Sequence, residues 1–346
     1  MLILMLGLLA QLSLEKTYEE PPDLSQELFA LSGERLYVST KSKIVAWSLK
    51  TGKATSFAIQ HPGYFGPIGF FRDKLYVSSI DTSRAAPDYG SDCFQVSVFD
   101  KDLNQLASKR GRYYRYYFSL RDKFFVMPST WDEKFRTRNP YLFVAHGVVF
   151  DGEIPIPPPN TLRFGKLTQH QKELGYNDKA WWFIEFDGQI LGVNGLKPSL
   201  VVFDDQRITA DNDGGMKAPP SYDGKPIRLR DWQTPPDKSY MAEITKENWG
   251  DADRIIKEWT CRLSRIRGMS TNGTTIAINY QTPGGGCLKK GVQLVDAEGT
   301  DLGHRWLTED DRTGFVVGPY QDGYLIFWVL ENGPSIEVWR PKLDEN

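Results

Sequence analysis

The chain has 346 residues, 40% hydrophobic and 13% aromatic, and its 42 Lys and Arg nearly balance 44 Asp and Glu for a formal net charge of −2. That apolar fraction with so little net charge excludes a disordered chain. The balance also excludes any global pull toward nucleic acid or anionic lipid, so a charged partner has to be met by a local patch.

The first ten residues, MLILMLGLLA, are apolar apart from Gly7. The run is too short for a bilayer, which takes about 20 residues, so no stable membrane span is expected. It matches the apolar core of a secretory signal, although no Lys or Arg precedes it and Leu8 is not the small residue a cleavage site after Ala10 requires. Residues 1–10 therefore read as a signal peptide or an N-terminal apolar segment, and residues 11–346 as one domain. The expected compartment is periplasmic or secreted, with the cytoplasm as the alternative. Residues 11–20, QLSLEKTYEE, alternate through Leu12, Leu14, Lys16 and Tyr18, a period-two strand pattern that Pro21 and Pro22 end.

From Leu31 to Lys53 the chain reads LSGERLYVSTKSKIVAWSLKTGK: a polar turn, a β-rich run at Leu36–Val38, a polar loop, a second run at Ile44–Leu49, and a Thr-Gly turn. Variants recur downstream. FRDKLYVSS is followed by FQVSVFDKD, LRDKFFVMP by LFVAHGVVFDGE, FDGQILGVN by SLVVFDDQ, TNGTTIAINY by GVQLVDAEGT, and YQDGYLIFWV by SIEVWRPK. The leading runs centre on Tyr37, Tyr76, Phe125, Leu191, Ala277 and Ile326. Three of the intervals fall at about 40–50 residues, the spacing of propeller blades, and two are lengthened by insertions. A meander of short strands cannot bury its apolar face alone, so such units stack around an axis.

The pattern resembles that of the β-propeller superfamily over nearly the whole chain, without the Gly-His and Trp-Asp pairs of WD40 repeats. The resemblance implies an all-β, six-bladed propeller, with seven blades as the alternative if Ile227–Trp232 forms a degenerate one. The last unit ends soon after Trp339, so the N-terminal strand is expected to pair with the last blade and close the ring. Gly66–Phe71, GPIGFF, is expected as the inner strand of the second blade, its glycines letting backbones crowd near the axis. A partly helical insertion spans about 209–257. Its second half reads as a helix from about Asn248, with Ile255, Ile256 and Trp259 on one stripe. It is the first region to suspect for ligand or partner contact, since loops on a rigid scaffold carry function.

Of three cysteines, Cys261 and Cys287 fall at ends of successive strands that antiparallel pairing makes neighbours, either as a disulfide or as two thiols. Cys93 reads as a small buried apolar residue. The run KRGRYYRYY interleaves Arg110, Arg112 and Arg115 with Tyr113 and Tyr114. These side chains could meet an anionic glycan, or equally form a strand whose tyrosines pack and whose arginines face solvent. Nucleic acid is disfavoured, because no RNA-binding signature accompanies the run. Asp211, Asp213 and Gly214 lack the closing Glu of an EF-hand, and Asn272-Gly273-Thr274 is a formal glycosylation sequon.

His61, His146, His170 and His304 show no ligand spacing, no Cys/His zinc set exists, and no Gly-x-Ser-x-Gly elbow appears. No catalytic residue and no cofactor are expected. The leading expectation is a non-catalytic exported scaffold, acting as a monomer, for a protein, small-molecule or glycan ligand. The alternative the resemblance implies is a metal-dependent hydrolase or lactonase of six-bladed type, with an axial metal ion held by Glu, Asn and Asp of several blades.

Overall fold

The computed structural model describes residues 28–84, 93–110, 114–120, 123–128, 141–145, 161–163, 181–203, 224–234, 261–309, 312–330 and 333–340, with Asp251, Arg254, Ile255 and Glu258 between. Among them the strands form six four-stranded antiparallel sheets, each with its strands in sequence order. The first sheet is β1 (Phe29–Ser32), β2 (Arg35–Ser39), β3 (Lys43–Ser48) and β4 (Ala54–Ala58). The second is β5 (Gly63–Phe71), β6 (Lys74–Asp81), β7 (Phe94–Asp100) and β8 (Gln105–Arg110). The third is β9 (Tyr114–Leu120), β10 (Lys123–Pro128), β11 (Tyr141–Ala145) and β12 (Thr161–Arg163). The fourth is β13 (Trp181–Phe186), β14 (Gln189–Asn194), β15 (Lys197–Phe203) and β16 (Lys225–Pro226). The fifth is β17 (Arg265–Thr271), β18 (Ile276–Gly284), β19 (Cys287–Val295) and β20 (Asp301–Trp306). The sixth is β21 (Thr308–Glu309), β22 (Arg312–Tyr320), β23 (Gly323–Leu330) and β24 (Gly333–Trp339).

The apolar runs that led each repeat in sequence are the second strands, not the first. Leu36, Tyr37 and Val38 of β2 and Leu325, Ile326 and Phe327 of β23 are fully buried. A strand covered on both faces reads as a continuous apolar run. The strand before it carries glycines and bulges and gives a weaker signal: register shifts interrupt β5 between Phe65 and Ile68, β17 between Ile266 and Gly268, and β22 between Val316 and Gly318. The polar turns joining these strand pairs are tight. Gly33, Arg72, Asp73, Asp187, Gly188 and Gln321 all take positive φ there, as primed hairpin turns require.

Sheets pack face to face through shared clusters. Tyr37, Ile44 and Ala46 of the first sheet meet Leu75, Val77 and Phe99 of the second. Leu191 and Leu200 of the fourth meet Ile276, Ile278 and Tyr280 of the fifth, with Ile227 and Leu229 filling the gap. Ile227–Trp232 thus covers the core between two sheets and adds no strand beyond β16. Phe29, Val38 and Trp47 of the first sheet meet Phe315 and Phe327 of the sixth. Among first strands, β5 lies against β1 and β9, β13 against β9 and β17, and β22 contacts β17 on one side and β1 on the other.

In the sixth sheet it is β22, not the two-residue β21, that occupies the position of a first strand, so β24 is the third from it and ends the sheet among the described residues. The expected closing strand at 11–20 lies outside the described residues. Within the insertion, Arg254, Ile255 and Glu258 are helical, Ile255 is buried, and Arg254 pairs with Asp251 at 3.0 Å and Glu258 at 2.8 Å. Among the described residues no helix is long and apolar enough to cross a membrane.

Candidate functional site

Antiparallel order sends the connections out at two ends of the sheets. One end carries the tight first-to-second turns and the third-to-fourth connections; the other carries the second-to-third connections and the links between sheets, among them the one from β16 to β17. The chemistry-bearing side chains gather at this second end, most densely on the fifth sheet.

Successive residues of β19 face opposite ways, so Lys289 and Lys290 part company. Lys289 Nζ sits 3.8 Å from the Trp306 ring centroid on the side toward the fourth sheet and bonds Asp231 Oδ2 at 2.5 Å. The Tyr280 hydroxyl donates to the Arg230 carbonyl at 2.9 Å and lies 3.0 Å from His304 Nε2. Thr282 Oγ1 donates to the Asp231 carbonyl at 2.6 Å, and the Gln233 amide donates to Ser264 Oγ at 2.7 Å. Burial, with Arg230 adding to it, pushes the His304 imidazole down to about 4, and burial raises the Tyr280 phenol. The hydrogen bond from Lys289 holds the Asp231 carboxyl below its ordinary range. Gly291 makes room for this group: a Cβ there would lie 3.0 Å from His304 Nε2 and 3.1 Å from the Trp306 ring. The same hairpin carries the disulfide between Cys261 and Cys287, with Cα atoms 4.7 Å apart. Cys261 lies in the turn before β17 rather than on the strand, and Cys287 opens β19. Asp231 and Cys261 are thus both tied to the β18–β19 hairpin.

On the other side of the fifth sheet a narrow cleft opens against the sixth. Arg267, Asn279, Gln281 and Lys290 line it with Leu307, Phe315 and Val316. Arg267 is the extra residue of the β17 bulge, a device that re-aims a side chain. Lys290 Nζ lies 3.8 Å from the Phe315 ring centroid.

The Arg/Tyr run falls at the second and third sheets. Arg110 Nη1 contacts Asp81 Oδ2 at 3.0 Å. Asp81 Oδ1 accepts from Ser83 Oγ at 2.6 Å, and that bond, with Arg110, keeps the carboxyl below its usual range. Tyr114 and Arg115 lie in β9; Arg112 and Tyr113 lie outside the described residues. Tyr117 turns inward, its hydroxyl 2.7 Å from Ser78 Oγ and its ring 5.7 Å from Phe124. His61 Nε2 is 3.5 Å from Ser79 Oγ. Cys93 is buried beside Ile80 and Phe94. Among the described residues no three His, Cys, Asp or Glu converge as metal ligands.

Sequence reading missed the Lys289–Lys290 pair, Arg267 and the Tyr280–His304 contact. The Lys-Lys dipeptide after a Gly-Gly-Gly turn was the available signal, since period two places neighbouring cations on opposite faces.

No protein-family model and no curated protein matches the chain. Among solved structures it is similar to a member of the DUF4221 family from Bacteroides vulgatus, at 12% identity over 95% of this chain and 92% of that one, with a TM-score of 0.50. BamB from Moraxella catarrhalis matches at 11% identity over 90% and 84% of the two chains, TM-score 0.37. The Swd1 propeller domain from Myceliophteria thermophila matches at 12% over 89% and 94%, TM-score 0.39. The fold is a β-propeller. At such identities the likeness extends to the fold alone, and the propeller's chemistry has to be read from its own residues.

Proposed function

We propose that the chain is an exported, non-catalytic six-bladed propeller that serves as a binding scaffold for a protein, small-molecule or glycan ligand. The single observation that carries the reading is the cleft between the fifth and sixth sheets, which opens at the end from which the connection between β16 and β17 leaves. Rigid elements place such a site better than loops do. Contact of β22 with both β17 and β1 supports a ring of six blades, each sheet one blade. That β24 is the outermost described strand of the sixth sheet supports the proposal that residues 11–20 add a strand beside it. Export is supported by the Cys261–Cys287 bridge, since disulfides persist in oxidising compartments, together with the apolar residues 1–10.

The test is to probe the purified full chain on glycan and peptide arrays while assaying lactone and ester hydrolysis with and without divalent metal. Saturable binding without turnover is expected. Metal-dependent turnover would overturn the reading.

A further inference from the structure

We infer that Arg228, Arg230 and Arg262 form a docking surface for an acidic, extended peptide segment of a partner protein. The inference rests on the binding-scaffold reading and names its partner class. All three arginines are exposed, and among the described residues no hydrogen bond or ion pair engages their guanidiniums. Every other arginine whose side chain is described has a partner, such as Asp81 for Arg84 and Arg110, Glu337 for Arg305 and Glu309 for Arg312. The three sit at the two ends of one connection, from β16 to β17, and both ends are pinned. Ile227 and Leu229 are buried on either side of Arg228, and the Ile227 amide donates to the Pro198 carbonyl at 2.8 Å, so the chain runs on extended past β16. The Arg230 carbonyl accepts from the Tyr280 hydroxyl. Arg262 stands between the disulfide-bonded Cys261 and the fully buried Leu263. Ser264 joins the two ends, its Oγ accepting from the Gln233 amide and lying 2.9 Å from Thr282 Oγ1.

A guanidinium presents a planar fork that matches a carboxylate, and charge-assisted bonds are the strong ones. The described carboxylates of this connection are already taken, Asp231 by Lys289 and both Asp251 and Glu258 by Arg254, which leaves the surplus positive among the described residues. Alternate residues of an extended chain lie about 7 Å apart. Carboxylates two apart on an extended peptide therefore fall in step with Arg228 and Arg230. Backbone held in place beside each arginine lowers the ordering cost of binding. A small anion would find no enclosure on this exposed face. A nucleic acid or a sulfated glycan carries charge along its whole length and would bring it against the exposed Asp231, where a peptide can set a neutral residue.

The experiment adds the full chain to a fluorescein-labelled peptide of alternating Glu and Ser and follows the anisotropy, with the Gln-for-Glu peptide and a labelled heparin fragment alongside. The Glu peptide should bind saturably and weaken as salt rises, and the Gln peptide should bind at least about tenfold more weakly. Arg228→Gln, Arg230→Gln and Arg262→Gln, checked for folding by circular dichroism, should each weaken the Glu peptide about threefold, and the triple variant at least about tenfold. Lys53→Gln, on an exposed turn of the first sheet, should leave it unchanged. Equal binding of the two peptides, no binding of the Glu peptide, full affinity in the folded triple variant, or tighter arginine-dependent binding of heparin than of the Glu peptide would overturn the inference. Saturable binding of a neutral peptide or glycan on the arrays, beside any of those outcomes, would leave the scaffold reading standing.

Discussion

Gly69 tests how closely the first strands of neighbouring sheets approach. It lies on β5, and a Cβ built there would fall 2.0 Å from Tyr117 Cβ and 2.9 Å from Tyr117 Cγ on β9. Ordinary contact begins at about 3.4 Å, so Gly69→Ala forces the two strands apart by about 1.4 Å. The obstacle is a Cβ fixed to backbone, not the end of a flexible side chain, so no rotamer change relieves it. Separation stretches the 2.7 Å bond between Ser78 Oγ and the Tyr117 hydroxyl. It also disturbs the stack of Phe71 on Phe124, with centroids 5.0 Å apart. Overpacking costs about 1–3 kcal/mol, and the loosened hydrogen bond adds about 1 kcal/mol, so the expected loss is about 2–4 kcal/mol. Gly318→Ala is the control. Its Cβ would meet only Leu31 Cδ2, at 3.9 Å. Its expected effect is within about 1 kcal/mol and on the stabilising side, because alanine restricts the unfolded chain. Urea unfolding of both variants, followed by tryptophan fluorescence and circular dichroism, gives the two free energies from midpoints at constant slope. A Gly69→Ala protein within about 0.5 kcal/mol of the parent, or a Gly318→Ala protein equally damaged, would refute the packing argument.

The bridge between Cys261 and Cys287 closes a sequence separation of 26 residues, for which chain entropy gives about 3.5 kcal/mol of stabilisation. Dithiothreitol or Cys287→Ser should lower the melting temperature accordingly, and an unchanged melting curve with both thiols titratable would contradict this. The His304 imidazole, held at about 4 by burial against 6.5 when free, binds fewer protons folded than unfolded between those values. Stability contributed by His304 is therefore complete above pH 6.5 and declines as pH falls toward 4. His304→Gln should flatten the stability profile across that window; a profile of unchanged slope would show that the imidazole titrates alike in both states.

Much of the architecture was readable from residue order. The polar pairs Arg72-Asp73, Asp187-Gly188 and Gln321-Asp322 mark the hairpin turns between apolar runs, and Asp73, Asp187 and Gly188 are residue types that tolerate the positive φ found there. The runs around Tyr37, Tyr76 and Ile326 are buried as their composition demands. Gly66–Phe71 lies within the first strand of its sheet, where Gly69 permits the close approach that was expected. At the other sheets the first strands gave little signal. Strands such as β1 and β17 are short or bulged, and periodicity is weak where register shifts. The cleft was illegible. Arg267, Gln281, Lys290 and Phe315 come from four strands of two sheets, and nothing local to any one of them signals the others.

Alternating apolar runs, their turn residues and their spacing determined an all-β chain of repeated four-stranded units, because strand burial and hairpin geometry are local properties of the backbone and its nearest neighbours. Only the tertiary structure decided which strand faces its neighbouring sheet and which neighbouring sheet each of Lys289 and Lys290 meets. Those outcomes depend on how whole sheets stack, and stacking brings together residues whose positions along the chain carry no record of the contact.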